Sequence, residues 1–107
     1  MNNVQLTIID ELSNNLEIDL HEQKTMGELK TAVINYVNYM ISHNPEKLMH
    51  ILYRVDVSEK SLKVKLQNEE TDAGSIIAEM IIERQLQKIE SKQAFKADDD
   101  IPENEKW

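Results

Sequence analysis

The stretch "TMGELKTAVINYVNYMISH", residues 25–43, decides the fold class. Its apolar side chains recur at intervals of three and four residues, which places them along one side of a helix. Thr25 followed by Glu28 is a capping-box pattern, in which each side chain binds a free backbone N–H of the first turn. The stretch therefore predicts an amphipathic helix over 25–43 with one face turned towards a core.

Further helix signals follow directly. Asn44 and Pro45 suit the N-cap and the first turn of a second helix, which we expect to run to about Arg54. Residues 55–70, "VDVSEKSLKVKLQNEE", predict a short helix capped by Asp56, although "LKVKL" also alternates as a strand would. We expect Arg54 to fix the corner between these helices by binding Asp56 or an acid of the last helix.

The last helix is predicted over residues 72–93, capped by Thr71 or Asp72. Its first half, "SIIAEMII", is apolar on most of its circumference. A helix that is apolar nearly all round is surrounded on several sides. The pattern therefore predicts that this helix either is the central helix of the domain or meets another subunit.

The first 24 residues fit two patterns. One is a helical stripe; the other is a hairpin around "DELSNN", because the apolar residues also alternate. We favour a helix through about Asn14, followed by an extended "LEIDL" on the core. Together these segments predict an all-α fold, a compact bundle of four or five helices. We expect one domain over 1–93 and an acidic, disordered C-terminal tail over 94–107. The presence of only two glycines and two prolines in 107 residues supports a few long helices.

One stretch carries a resemblance. It runs from "PEKLMHILYRVDVSEKSLK" through "IIAEMIIERQLQKIESKQAF", about half of the chain, and resembles small helical bacterial proteins that have no named activity. The resemblance implies an all-helical fold and assigns no residue a role.

Charge and composition exclude several classes of function. The net charge is −8, and no segment is a basic block, so binding to nucleic acid or to an anionic membrane surface is not expected. Cysteine is absent, which removes disulfides and thiolate chemistry. The N-terminus lacks the pattern of a secretory signal, and we expect a cytoplasmic protein.

The sequence predicts no catalytic residue and no cofactor. The candidates for a metal site are His43, Glu46 and His50 in "HNPEKLMH", because imidazole and carboxylate groups bind zinc or iron. Their spacing matches no known metal motif, and exposed polar side chains are the favoured interpretation.

The function expected from the sequence is a non-enzymatic protein–protein interaction or adaptor module, and a homodimer is one form of it. The alternative is a protein that binds a metal or small ligand through His43, Glu46 and His50. In the tail "ADDDIPENEKW", Ile101 and Trp107 are candidates for partner binding. The tail fits both a solvated segment and a linear motif that a partner reads.

Overall fold

A computed structural model describes residues 3–68 and 71–97, with side chains placed for 5–68 and 71–92. The described residues form helices and no strand, which confirms the predicted all-α bundle. The five helices are α1 (Asn3–Leu16), α2 (Met26–His43), α3 (Pro45–Val55), α4 (Glu59–Asn68) and α5 (Ala73–Ala97). None of them is long and apolar enough to span a membrane.

Helix α5 lies at the centre of the bundle and packs against each of the other four helices. Its isoleucines are at most 7% exposed: Ile76, Ile77, Ile81, Ile82 and Ile89. The apolar circumference of this helix is therefore covered within one chain. This confirms the prediction that α5 is the central helix of the domain. The helix runs to Ala97, so the prediction that residues 94–97 belong to a disordered tail is wrong. The rest of the predicted tail, 98–107, lies outside the described residues.

The N-terminal segment is helical, so the hairpin alternative is wrong. Ile8, Leu12 and Leu16 are fully buried, because their spacing brings them to one face of α1 that packs on the core. Glu17 ends the helix in the left-handed conformation, with φ 60°. The chain then turns back along the core, where Leu20 is buried and its N–H donates to Ser13 Oγ at 3.0 Å.

The predicted start of α2 is confirmed, with one shift in its capping box. Glu28 N–H donates to Thr25 Oγ1 at 3.1 Å, as expected. The reciprocal bond comes from the N–H of Lys24, which donates to Glu28 Oε2 at 3.1 Å, and not from Thr25. Both bonds satisfy donors at a helix start that have no partner within the helix.

The corner after α3 differs from its prediction. Asp56 does not cap α4: it ends α3 in the left-handed conformation, with φ 67°, and Ser58 Oγ accepts the N–H of Ser61 at 3.2 Å. Asp56 binds Arg84 of α5, whose Nε donates to the Asp56 carbonyl at 3.1 Å and whose Nη2 lies 3.3 Å from Oδ2. Arg54 instead binds the Asn15 carbonyl and Glu17, so the expected partner, Asp56 or an acid of the last helix, is wrong.

Candidate interaction surface

Helices α2 and α3 meet at a single residue, Asn44. Its N–H donates to the carbonyl of Met40 at 2.8 Å, which closes α2, and its Oδ1 accepts the N–H of Lys47 at 3.2 Å, which opens α3. Pro45 occupies the first turn of α3, where no N–H is needed. Because one residue caps both helices, the last turns of α2 are held beside the first turn of α3.

Aromatic rings form a stack along the exposed edge of α2. The Tyr36 and Tyr39 rings are 6.4 Å apart between centroids and tilted by 8°, and the Tyr39 and His43 rings are 4.5 Å apart and tilted by 13°. The ammonium group of Lys47 lies 5.7 Å from the centroid of Tyr36, within the range of a cation–π contact. Tyr39 is 55% exposed although its ring is held on both sides.

Glu17 at the end of α1 ties this stack to the basic side of α3. Its Oε2 lies 3.4 Å from Lys47 Nζ, and its Oε1 lies 3.9 Å from Arg54 Nη1. The Tyr36 hydroxyl, and to a smaller extent Glu17, raise the pKa of Lys47, so this side chain stays charged. Such exposed ion pairs add little stability, but they fix where the charges stand. The side chains of Tyr36, Tyr39, His43, Lys47 and Arg54 are termed the corner surface below; Tyr36 and Lys47 are half-buried and the other three are exposed.

Arg54 connects the corner surface to the backbone of α1. Its Nη1 donates to the carbonyl of Asn15 at 3.4 Å. The side chain of Asn15 in turn donates from Nδ2 to Oε1 of Gln85, a residue of α5 that is only 2% exposed. The corner surface is thus anchored to the central helix by a chain of polar contacts.

Two of the three predicted metal candidates, Glu46 and His50, line a groove of about 350 Å³. Glu17 and Arg54 form other parts of its wall. His43 turns to the aromatic stack, where its Nδ1 lies 3.1 Å from the Tyr39 carbonyl. Among the side chains that the structure describes, no three His, Cys, Asp or Glu residues are placed to hold a metal ion.

A second cluster of ionisable groups joins α1 to the following loop. His21 Nε2 lies 2.6 Å from Asp10 Oδ1, and His21 Nδ1 lies 2.7 Å from Asp19 Oδ1. The two carboxylates raise the pKa of His21, because the protonated ring donates to both of them. They occupy both ring nitrogens, so neither nitrogen is left to act as a general base or as a metal ligand.

The sequence contained a signal for part of the corner surface. Tyr36, Tyr39 and His43 follow each other at intervals of three and four residues, the spacing at which side chains touch along a helix. The contribution of Glu17 had no such signal, because it comes from a helix that is distant in sequence.

Comparison of the chain with protein-family models, with curated proteins and with solved structures finds no match. The resemblance to small helical bacterial proteins therefore remains an expectation.

Proposed function

We propose that the protein is a non-enzymatic protein–protein interaction or adaptor module, acting in the cytoplasm, that binds its partner through the corner surface. The observation that carries the proposal is the exposed Tyr39 ring, held between Tyr36 and His43. Tyrosine is enriched at binding hot spots because its ring offers a large contact area and its hydroxyl tolerates water.

The stack also reduces the cost of binding. Ordering a free side chain at an interface costs about 0.5–1.5 kcal/mol, so a ring already held in place by its neighbours loses less entropy on binding. Lys47 lies against Tyr36, the neighbour of this ring in the stack, and Arg54 shares Glu17 with Lys47, so both add charges that guide a partner into register. An apolar centre with a charged rim is the usual anatomy of a protein interface.

Tyr53 is an exposed tyrosine with which Tyr39 can be compared. This tyrosine of α3 is 89% exposed, more than Tyr39, but no described ring stacks on it. A single exposed apolar side chain is normal on a protein surface and does not indicate a binding site. We therefore expect the partner to bind at Tyr39 and not at Tyr53.

The test is site-specific photo-crosslinking in cells of the source organism. A photoreactive phenylalanine analogue at position 39 should give a discrete adduct, and the same analogue at position 53 should not. Introducing Arg54→Glu should weaken the adduct at position 39, because it reverses a charge of the corner surface. An adduct of twice the mass of the chain would identify the partner as a second copy. Absence of any adduct at position 39, or equal adducts at both positions, would refute the proposal.

A further inference from the structure

Helix α4 is held to the bundle more weakly than the other described helices. None of its side chains is buried, whereas each of the other four helices buries several apolar side chains. Val64 and Leu66 of α4 are 48% and 39% exposed. Of the α4 side chains, only Leu62 packs against the core, and it is half-buried. The burial of apolar surface therefore attaches α4 mainly through one residue.

Polar contacts do not compensate for this weak packing. The N–H of Ser61 donates to Ser58 Oγ, which caps α4 itself. Lys63 forms an ion pair with Glu59 at 3.5 Å, and both residues belong to α4. Among the described residues, no α4 side chain makes a hydrogen bond or an ion pair with another helix. A groove of about 250 Å³ also lies between α4 and α5, with Met80 on its α5 side, so the contact between the two helices is incomplete.

The length of α4 makes its structure dependent on this contact. The helix has 10 residues. Helices this short are marginal in water, because forming the first turn is unfavourable and most of their stability in a protein comes from packing. When Leu62 leaves the core, we therefore expect the whole helix to lose its structure in one step.

Both ends of the segment that carries α4 are fixed to α5. Before α4, Arg84 Nε donates to the carbonyl of Asp56 at 3.1 Å. After α4, Asp72 caps the first turn of α5, where its Oδ2 accepts the N–H of Ser75 at 3.1 Å. These two points are about 18 Å apart along α5, at 1.5 Å per residue, whereas the chain between them spans up to about 50 Å when extended. The segment can therefore detach from α5 without disturbing either end.

From this attachment we propose that α4 opens away from α5 as one unit while the other four helices stay folded. Opening uncovers the side of α5 that lines the groove, with Met80, Glu83 and Gln87. Local openings of this kind require much less free energy than global unfolding, since few buried contacts are broken. The inference goes beyond the proposed function, because α4 contains no residue of the corner surface.

Hydrogen exchange of the full-length native protein, followed residue by residue by NMR, tests the proposal. The hydrogen-bonded amides of α4 begin at Leu62, whose N–H donates to the Ser58 carbonyl at 3.0 Å. We expect these amides to be at least about 100-fold less protected than those of Val37 and Met40, which are buried residues of α2. As urea is added below the unfolding transition, the α4 amides should converge on one protection factor, because one event opens all of them.

Three kinds of variant distinguish this opening from global unfolding and from fraying of the helix ends. Leu62→Ala should lower the protection of all α4 amides by about fivefold to tenfold, which is the value of burying about half of a leucine side chain. Val64→Ala removes an exposed side chain of the same helix and should not lower that protection, because alanine favours a helix more than valine does. Val33→Ala weakens the core in both the closed and the opened state. It should therefore leave α4 within about twofold and lower the protection of α2 at least about tenfold, and the milder Ile8→Val on α1 should act in the same direction.

Any of four results would overturn the inference. They are α4 amides as well protected as those of α2, α4 amides that do not converge in urea, equal losses after Leu62→Ala and Val64→Ala, and a loss in α4 after Val33→Ala that matches the loss in α2. The last result would show that α4 opens only when the whole chain unfolds. None of them would affect the proposed function, since crosslinking at position 39 tests a different surface.

Discussion

The buried bond between Asn15 and Gln85 gives the sharpest prediction about stability. Gln85 is 2% exposed on the central helix, whereas Asn15 is half-buried at the end of α1. Removing one partner of a buried hydrogen bond costs about 1–3 kcal/mol, because the other group stays desolvated and unpaired. The cost depends on whether water can reach the group that is left behind.

This difference in burial makes the two single variants unequal. Asn15→Ala leaves the amide of Gln85 unpaired where water cannot replace the bond, so we expect a loss of about 2 kcal/mol in the free energy of unfolding. Gln85→Met keeps the volume of the side chain and leaves Asn15 where water can reach it, so we expect a loss of about 1 kcal/mol or less. The double variant has no unpaired buried amide and should resemble Gln85→Met.

Urea unfolding followed by circular dichroism measures all three variants. With a slope of about 2 kcal/mol per molar urea, the Asn15→Ala midpoint should fall by about 1 M. The double-mutant cycle should show a coupling energy of about 1–2 kcal/mol. Additive losses, or a loss at Asn15→Ala no larger than at Gln85→Met, would refute the reasoning that the buried amide of Gln85 needs its partner.

Three further predictions concern other parts of the fold. The protonated His21 binds two carboxylates, which raises its pKa in the folded state. Its stabilising effect is complete below about pH 6.5, the pKa of a free histidine, and is lost as the pH rises through the raised folded-state pKa. The stability advantage of the wild type over His21→Gln, measured by urea unfolding across this range, should therefore shrink with increasing pH; an advantage that grows would contradict the assignment. Glu17→Gly should be more stable than Glu17→Ala by about 1 kcal/mol in thermal unfolding, because only glycine adopts φ 60° without strain. Ile81→Ala on α5 should lower the free energy of unfolding by about 2–5 kcal/mol, whereas Leu6→Ala at an exposed position should lower it by less than about 0.5 kcal/mol. Similar losses for the two variants in chemical denaturation would show that α5 is not the packed centre.

The described helix boundaries agree closely with the sequence wherever the signal is local. Thr25 and Asn44 begin α2 and α3 as predicted. A cap is a bond between residues three positions apart, so its pattern is visible in a short stretch of sequence. The same kind of pattern predicted Asp56 as the cap of α4, and this was wrong. Asp56 is instead the left-handed residue that ends α3, and α4 starts after it.

The candidate site was predictable only in part. The tyrosines of α2 have helical spacing, so their proximity follows from the sequence. Arg54 was expected to bind Asp56 or an acid of the last helix. Arg84 of α5 binds Asp56, and Arg54 binds the backbone of α1. Both arginines have similar reach, and nothing near them in the chain distinguishes their partners.

The sequence by itself determined the all-α class and the individual helices α2, α3 and α5, because hydrophobic periodicity and capping act over a few residues. Only the tertiary structure decided between helix and hairpin for the first segment, since both patterns fit its apolar residues and burial against the core separates them. It also brought Glu17 to Lys47 and Asn15 to Gln85. These contacts join residues far apart in the chain, and their geometry follows from how the helices pack rather than from any local pattern.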